Sequence, residues 1–148
     1  MTTVRHHVII DAPPARAWAI VTDAANLDAW FPGLDDCTLE GDLRTITLGS
    51  GMPMPERIIT NDPLQMRFQY RIESPLFREH LGTIDVIPLA EDRCLVVYST
   101  DAEPGPLALV IGGASNDALA SLKAMCEDPR GPQHSGTALT PDETKATT

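Results

Sequence analysis

Between Leu34 and Asp101 the chain is a succession of short strand-forming runs joined by tight turns, and one segment long enough to roof the resulting sheet follows them, Leu107 to Cys126. An antiparallel meander buries one face only if something covers it, so the pairing of many strands with one long helix narrows the architecture sharply. The predicted strands are Leu34–Glu40, Arg44–Leu48, Met54–Asn61, Leu64–Ile72, Glu79–Pro88 and Arg93–Asp101. Gly41-Asp42, Asn61-Asp62-Pro63 and Ala90-Glu91-Asp92 supply the turn chemistry between them. Alternation is clearest from Gln65 to Ile72, where Met66, Phe68, Tyr70 and Ile72 take one face and the glutamines and arginines the other.

The N-terminal part reads differently. Val4 to Ile10 is a β-rich run closed by Asp11-Ala12-Pro13-Pro14, and a proline suits the first turn of a helix. Ala17, Trp18 and Val21 then recur at helical spacing within Ala15–Thr22, and a second short helix, Ala24–Trp30, stops at Phe31-Pro32-Gly33. After Pro104-Gly105-Pro106 the long helix carries Leu107, Ile111, Ala114, Ala118, Leu122 and Met125 on one stripe. Gly112-Gly113 interrupts it, which means either close helix-on-sheet packing or room for a ligand beside the helix. The expected fold is α+β: an antiparallel sheet of about seven strands with one long C-terminal helix, and two short helices after the first strand. One domain over residues 1–126 is expected, and a disordered tail over 127–148, where aromatics are lacking and Thr, Pro and Gly abound.

Charge excludes some functions. The net charge is −10 with only 11 Lys and Arg, scattered along the chain, so neither nucleic acid nor an anionic membrane surface is an expected partner. No segment is long and apolar enough for membrane insertion, and no secretory signal opens the chain. Cys37, Cys94 and Cys126 lack metal spacing and read as reduced thiols of a cytoplasmic protein. Nucleophile-elbow and phosphate-loop motifs are absent, and no cofactor or metal is expected.

The segment Gly49 to Ile58 carries the strongest functional signal. A Gly/Pro-punctuated loop runs into a strand that turns Glu56 to the same face as Met54, Ile58 and Thr60. A plain hairpin needs only a two-residue turn, so a longer loop above an apolar face with one carboxylate reads as the lid of a ligand pocket. The same parity groups Met66, Phe68, Tyr70 and Ile72, then His80, Ile84 and Val86, then Val96, Tyr98 and Thr100. Arg57, Arg67 and Arg71 fall on the opposite, solvated face, and no inward Arg or Lys is expected. Glu56 is therefore expected to be protonated, paired with His80, or reached by water.

Ile10-Asp11-Ala12-Pro13 with Trp18, then Asp23, Trp30-Phe31-Pro32, the run Leu43–Leu48 leading into Pro55–Asp62, and Tyr70-Arg71-Ile72 together resemble the SRPBCC, or START-like, superfamily of polyketide cyclase/dehydrase proteins. The resemblance covers roughly residues 4 to 126 and implies the helix-grip fold, in which the sheet wraps the long helix and leaves a cavity between them. Ser50-Gly51-Met52-Pro53 ahead of Glu56 is similar to the gate of the plant abscisic acid receptors, a branch of that superfamily. The likeness implies Met52 and Pro53 at the rim, a second mobile loop at Pro75–Arg78, and Phe31 where those receptors hold a carboxylate-binding lysine.

The expected site residues are Phe31, Met52, Met54, Glu56, Ile58, Met66, Phe68, Tyr70, His80, Val96, Tyr98 and Ile111. A wall this apolar, with a few convergent polar groups, fits a small lipophilic, non-acidic ligand that is bound or carried. The alternative is a cyclase-, aromatase- or dehydratase-type enzyme moving protons through Glu56 and His80. An interaction module whose gate docks a partner is a third reading.

Overall fold

A computed structural model describes residues 1–130. The elements follow the predicted order: β1 (Thr2–Ile10), α1 (Pro14–Thr22), a 3-10 segment (Ala24–Ala29), β2 (Leu34–Glu40), β3 (Leu43–Leu48), β4 (Pro53–Asp62), β5 (Arg67–Ile72), β6 (Glu79–Ala90), β7 (Arg93–Glu103) and α2 (Gly105–Glu127). The seven strands form one antiparallel sheet in the order β1-β7-β6-β5-β4-β3-β2. The meander runs from β2 to β7, and β1 closes it by pairing with β7, so that both edges come from the N-terminal third. This is the helix-grip arrangement. The second short helix is 3-10 rather than α, because Asn26 leaves helical geometry at φ −117°. Residues 131–148, most of the expected tail, lie outside the described residues.

α2 packs mainly on β1 and β7. Its seat is set by Gly112, where an added Cβ would stand 2.5 Å from Val4 Cγ1. The glycine pair therefore divides its roles. Gly112 allows close approach to β1, whereas Gly113 is exposed with open space around its Cα. The core gathers Ile10, Trp30, Phe68, Ile84, Val96, Leu119 and Leu122 between sheet and helix. No described helix is long and apolar enough to cross a membrane.

Two local departures matter for the site. A bulge between Ile58 and Thr60 inverts the parity of β4. Thr60, expected on the face of Glu56, instead shares a hydrogen bond with Gln69, which also bonds Thr83 on the outer face. Met66 lies outside β5, in the preceding turn with φ +51°, rather than at the head of the strand.

Gly112→Ala should destabilise the protein by about 1–3 kcal/mol through overpacking against Val4. Gly113→Ala should stabilise it by about 0.4–1 kcal/mol. Urea denaturation of the two variants checks both signs.

Candidate functional site

A cavity of about 210 Å³ lies between the first turns of α2 and the β3–β5 side of the sheet. The sheet, the 3-10 segment and the short connection after it contribute Leu27, Phe31, Leu34, Ile46, Leu48, Met54, Glu56, Tyr70, Ile72 and Tyr98. Leu76 and Phe77 come from the loop between β5 and β6, and Leu107, Val110, Ile111 and Ala114 from α2. Polar side chains enter this wall only at Glu56, Tyr70 and Tyr98. A larger groove of about 650 Å³ runs along α1, the 3-10 segment and the end of α2, but it opens to solvent over short side chains such as Ala15 and Ala19.

The charged group of the cavity has a partner that parity along β4 alone does not reveal. Arg44 stands directly opposite Glu56 in the β3–β4 register. Its Nε donates to Glu56 Oε2 at 2.7 Å, and its Nη2 stands 2.6 Å from the same oxygen. Both residues are buried, Arg44 1% and Glu56 3% exposed, and the expectation of no inward cation is thereby corrected. The signal was available in β3: Ile46 and Leu48 turn inward, and two residues before Ile46 the same alternation carries Arg44 in with them. Burial pushes the Glu56 carboxyl above its ordinary range, and the guanidinium pulls it back. Burial pulls Arg44 down, but the Glu56 carboxylate, with Tyr70 and Tyr98, more than offsets it and holds the guanidinium above its usual value. The guanidinium carbon also lies 5.2 Å from the Tyr70 ring centre and 5.8 Å from that of Phe68, in the range of cation–π attraction. Glu56 Oε1 accepts no hydrogen bond from the described residues.

The two tyrosines form a second polar unit, their hydroxyls 2.5 Å apart. Tyr70 can lie flat across the sheet because its partner on β6 is Gly82: a Cβ there would stand 2.4 Å from the ring. Burial pushes the Tyr98 phenol up to about 12 and that of Tyr70 well above its ordinary value, so both keep their protons.

Six of the expected residues, Phe31, Met54, Glu56, Tyr70, Tyr98 and Ile111, meet on the cavity wall. The other six stand elsewhere. Met52 is half-exposed on the β3–β4 loop. Ile58, Met66 and Val96 belong to the core away from the cavity, and Phe68 lies beneath Arg44. His80 sits behind the wall: its ring packs on Tyr70 and Phe77, at centroid distances of 5.5 and 5.4 Å. Its Nδ1 accepts the Ile72 backbone N–H at 3.0 Å. Glu56 and His80 form no hydrogen bond, so the expected acid–base pair is replaced by the Glu56–Arg44 pair. Residues that parity alone missed, such as Leu27, Leu34, Leu107 and Val110, come from other elements that converge on the mouth only in three dimensions. Among the described residues no three His, Cys, Asp or Glu side chains gather as a metal site requires.

Burial, with the charge of Arg71, pushes His80 down to about 4, against about 6.5 in an unfolded chain. Above pH 6.5 the ring is neutral in both states. Below it the unfolded chain takes the proton first, so stability falls from about pH 6.5 to about pH 4, with a slope of up to about 1.4 kcal/mol per unit. His80→Gln should flatten that slope in pH-dependent denaturation curves. Arg44→Met and Glu56→Leu should each cost about 3–5 kcal/mol by leaving a buried charge unpaired. The double variant should recover most of the loss, as a double-mutant cycle of urea melts would report.

Comparisons with known proteins were consistent in fold. The family described as polyketide cyclase / dehydrase and lipid transport matches residues 1–127. The protein XoxI from Bacillus cereus superposes with a TM-score of 0.80 at 21% identity, over 86% of this chain and 97% of that one. The ZhuI aromatase/cyclase from Streptomyces sp. R1128 gives 0.73 at 19% identity, over 85% and 93% of the two chains. A START superfamily protein from Mycobacterium smegmatis gives 0.66 at 19%, over 84% and 97%. At these identities the structural likeness is one of fold. No curated protein sequence matched.

Proposed function

The chain belongs to the polyketide cyclase/dehydrase and lipid transport family, and from that premise we propose that it binds a small, neutral, largely apolar molecule that donates a hydroxyl or N–H to Glu56. The observation that carries this reading is the cavity wall itself. Every side chain on it is apolar except Glu56 and the two protonated tyrosines, and the one carboxylate is already neutralised by Arg44. An anionic ligand would meet no free cation there, and a cationic one would have to compete with Arg44 for Glu56. A neutral donor needs neither rearrangement, because Glu56 Oε1 is open to it while Oε2 holds the guanidinium. The volume of about 210 Å³ lies below the roughly 300–1,000 Å³ of drug-sized sites, which favours a one- or two-ring guest or a cavity that widens on binding.

A catalytic role is the second reading. The same wall sets a carboxylate beside two phenols that share a 2.5 Å contact, a constellation able to move a proton on a bound carbonyl compound. On this second reading any proton transfer would fall to Glu56 with Tyr70 and Tyr98, rather than to Glu56 with His80. Tyr70→Phe distinguishes the readings: a carrier keeps its cargo affinity within a few-fold, whereas a proton-transfer enzyme loses turnover by about a hundredfold or more.

Ligand charge is tested with naphthalene, 2-naphthol and 2-naphthoic acid in thermal denaturation. At about ten times Kd, 2-naphthol should add about 1.4 kcal/mol and raise Tm by roughly 3–6 °C. Naphthalene should do less, and the acid nothing. Stabilisation by the acid alone would overturn the reading.

A further inference from the structure

Two buried polar atoms find no hydrogen-bond partner among the described residues on the inner sheet face: His80 Nε2 and Thr100 Oγ1. Both side chains are almost wholly enclosed, 2% and 1% exposed. They are diagonal neighbours across β6 and β7, since His80 stands opposite Ala102 and Gly82 opposite Thr100. Gly82, at the corner between them, has no side chain of its own, and the Tyr70 ring fills the space above it. Buried polar groups are normally satisfied, so two adjacent unpartnered ones on a ligand-facing layer point to something that pairs with them.

Their chemistry is specific. His80 Nδ1 is occupied by the Ile72 N–H, which leaves the ring proton on Nε2 as a donor. The ring titrates far below neutrality and therefore stays uncharged. The Thr100 hydroxyl, on the neighbouring strand, can also donate. Two neighbouring neutral donors call for an acceptor oxygen, such as a ketone, ester or ether.

Two rings of the cavity wall, Phe77 and Tyr70, pack against His80. Phe77 lines the cavity and packs edge-on against His80. It rides on the loop between β5 and β6, where it is only half-buried beside the exposed Leu76. The other cavity residue against His80, Tyr70, is held by Tyr98. Phe77 is thus the part of this wall with the fewest restraints. We propose that His80 Nε2–H and the Thr100 hydroxyl form a second polar subsite behind Phe77, which receives the acceptor oxygen of an elongated neutral ligand whose opposite end donates to Glu56. The subsite rests on the neutral-donor reading of the main cavity and narrows the ligand to a two-ended hydroxy-carbonyl or hydroxy-ether class. In the ligand-free protein water can occupy the same position.

The test compares 2-naphthol with 6-acetyl-2-naphthol, which adds a carbonyl at the far end of the same scaffold, by calorimetry on the full chain. The acetyl probe should bind about tenfold more tightly, the worth of one or two buried hydrogen bonds. Thr100→Val, which keeps the side-chain shape, should remove about threefold or more of that advantage and leave 2-naphthol unaffected. Phe77→Ala, which also trims the main cavity wall, should raise the affinity ratio of the acetyl probe over 2-naphthol. In the ¹H–¹⁵N spectrum the His80 Nε2–H signal should move with the acetyl probe and stay in place with 2-naphthol. Equal binding of both probes with an unmoved His80 signal, or exclusion of the acetyl probe while 2-naphthol binds, overturns the subsite and leaves the main-cavity reading intact. If neither probe binds, the cavity reading and the subsite fall together.

Discussion

The ion pair of Arg44 and Glu56 is the constraint around which the rest of the site is organised. Two charges removed from water cost several kcal/mol each, and only close geometry with further favourable contacts returns that cost. Here the return comes from the direct cross-strand register of β3 and β4, the two short N···O contacts, and the rings of Phe68 and Tyr70 beside the guanidinium. The pair also fixes pairing. A one-residue slip of β3 against β4 would turn Arg44 to solvent and leave Glu56 buried alone. A sheet held this way can carry a polar group on its floor without admitting water.

Where the cavity opens follows from two glycines. Gly112 lets α2 settle directly on β1, and the helix packs on β1 and β7 along its length. The sheet continues through β6, β5, β4 and β3 while the helix stays near the opposite edge, so a gap forms between the first turns of α2 and β3–β5. Large aliphatic side chains from α2 and from the β5–β6 loop narrow it but do not close it. Gly82 acts on the floor. By giving its space to the Tyr70 ring, it brings that hydroxyl to Tyr98 and keeps Tyr70 against Arg44. The polar groups of the floor, from Glu56 through Tyr70 to Tyr98, are thereby one connected layer rather than isolated points.

Much of this was legible in the chain. Alternation placed six strands to within a few residues, and turn chemistry joined them, because both are local properties. The same alternation brought Met54, Glu56, Tyr70 and Tyr98 to one face. It failed where the chain broke its own period: the bulge after Ile58 sent Thr60 outward, and the left-handed turn at Met66 took that residue out of the strand. It was also silent on distance along the face, so Phe68 and Val96, inward as expected, went to the core instead of the cavity. Arg44 was readable from β3, but its burial becomes reasonable only once Glu56 is known to stand across from it, and that is a matter of register between strands.

The same pair bears on whether the cavity binds or transforms its guest. A general base works best when its pKa lies near the operating pH. Burial lifts Glu56 in that direction, but each proton it accepted would strip Arg44 of its counterion in a site where no second carboxylate lines the wall. Arg44 therefore resists the protonation that general-base chemistry needs, while it leaves Oε1 free as a hydrogen-bond acceptor. Unless a ligand brings its own negative charge to Arg44 during reaction, Glu56 is better built to orient a neutral hydroxyl than to remove its proton. That balance supports the proposed binding role, and it would tip toward chemistry only for a substrate that develops an oxyanion within reach of the guanidinium.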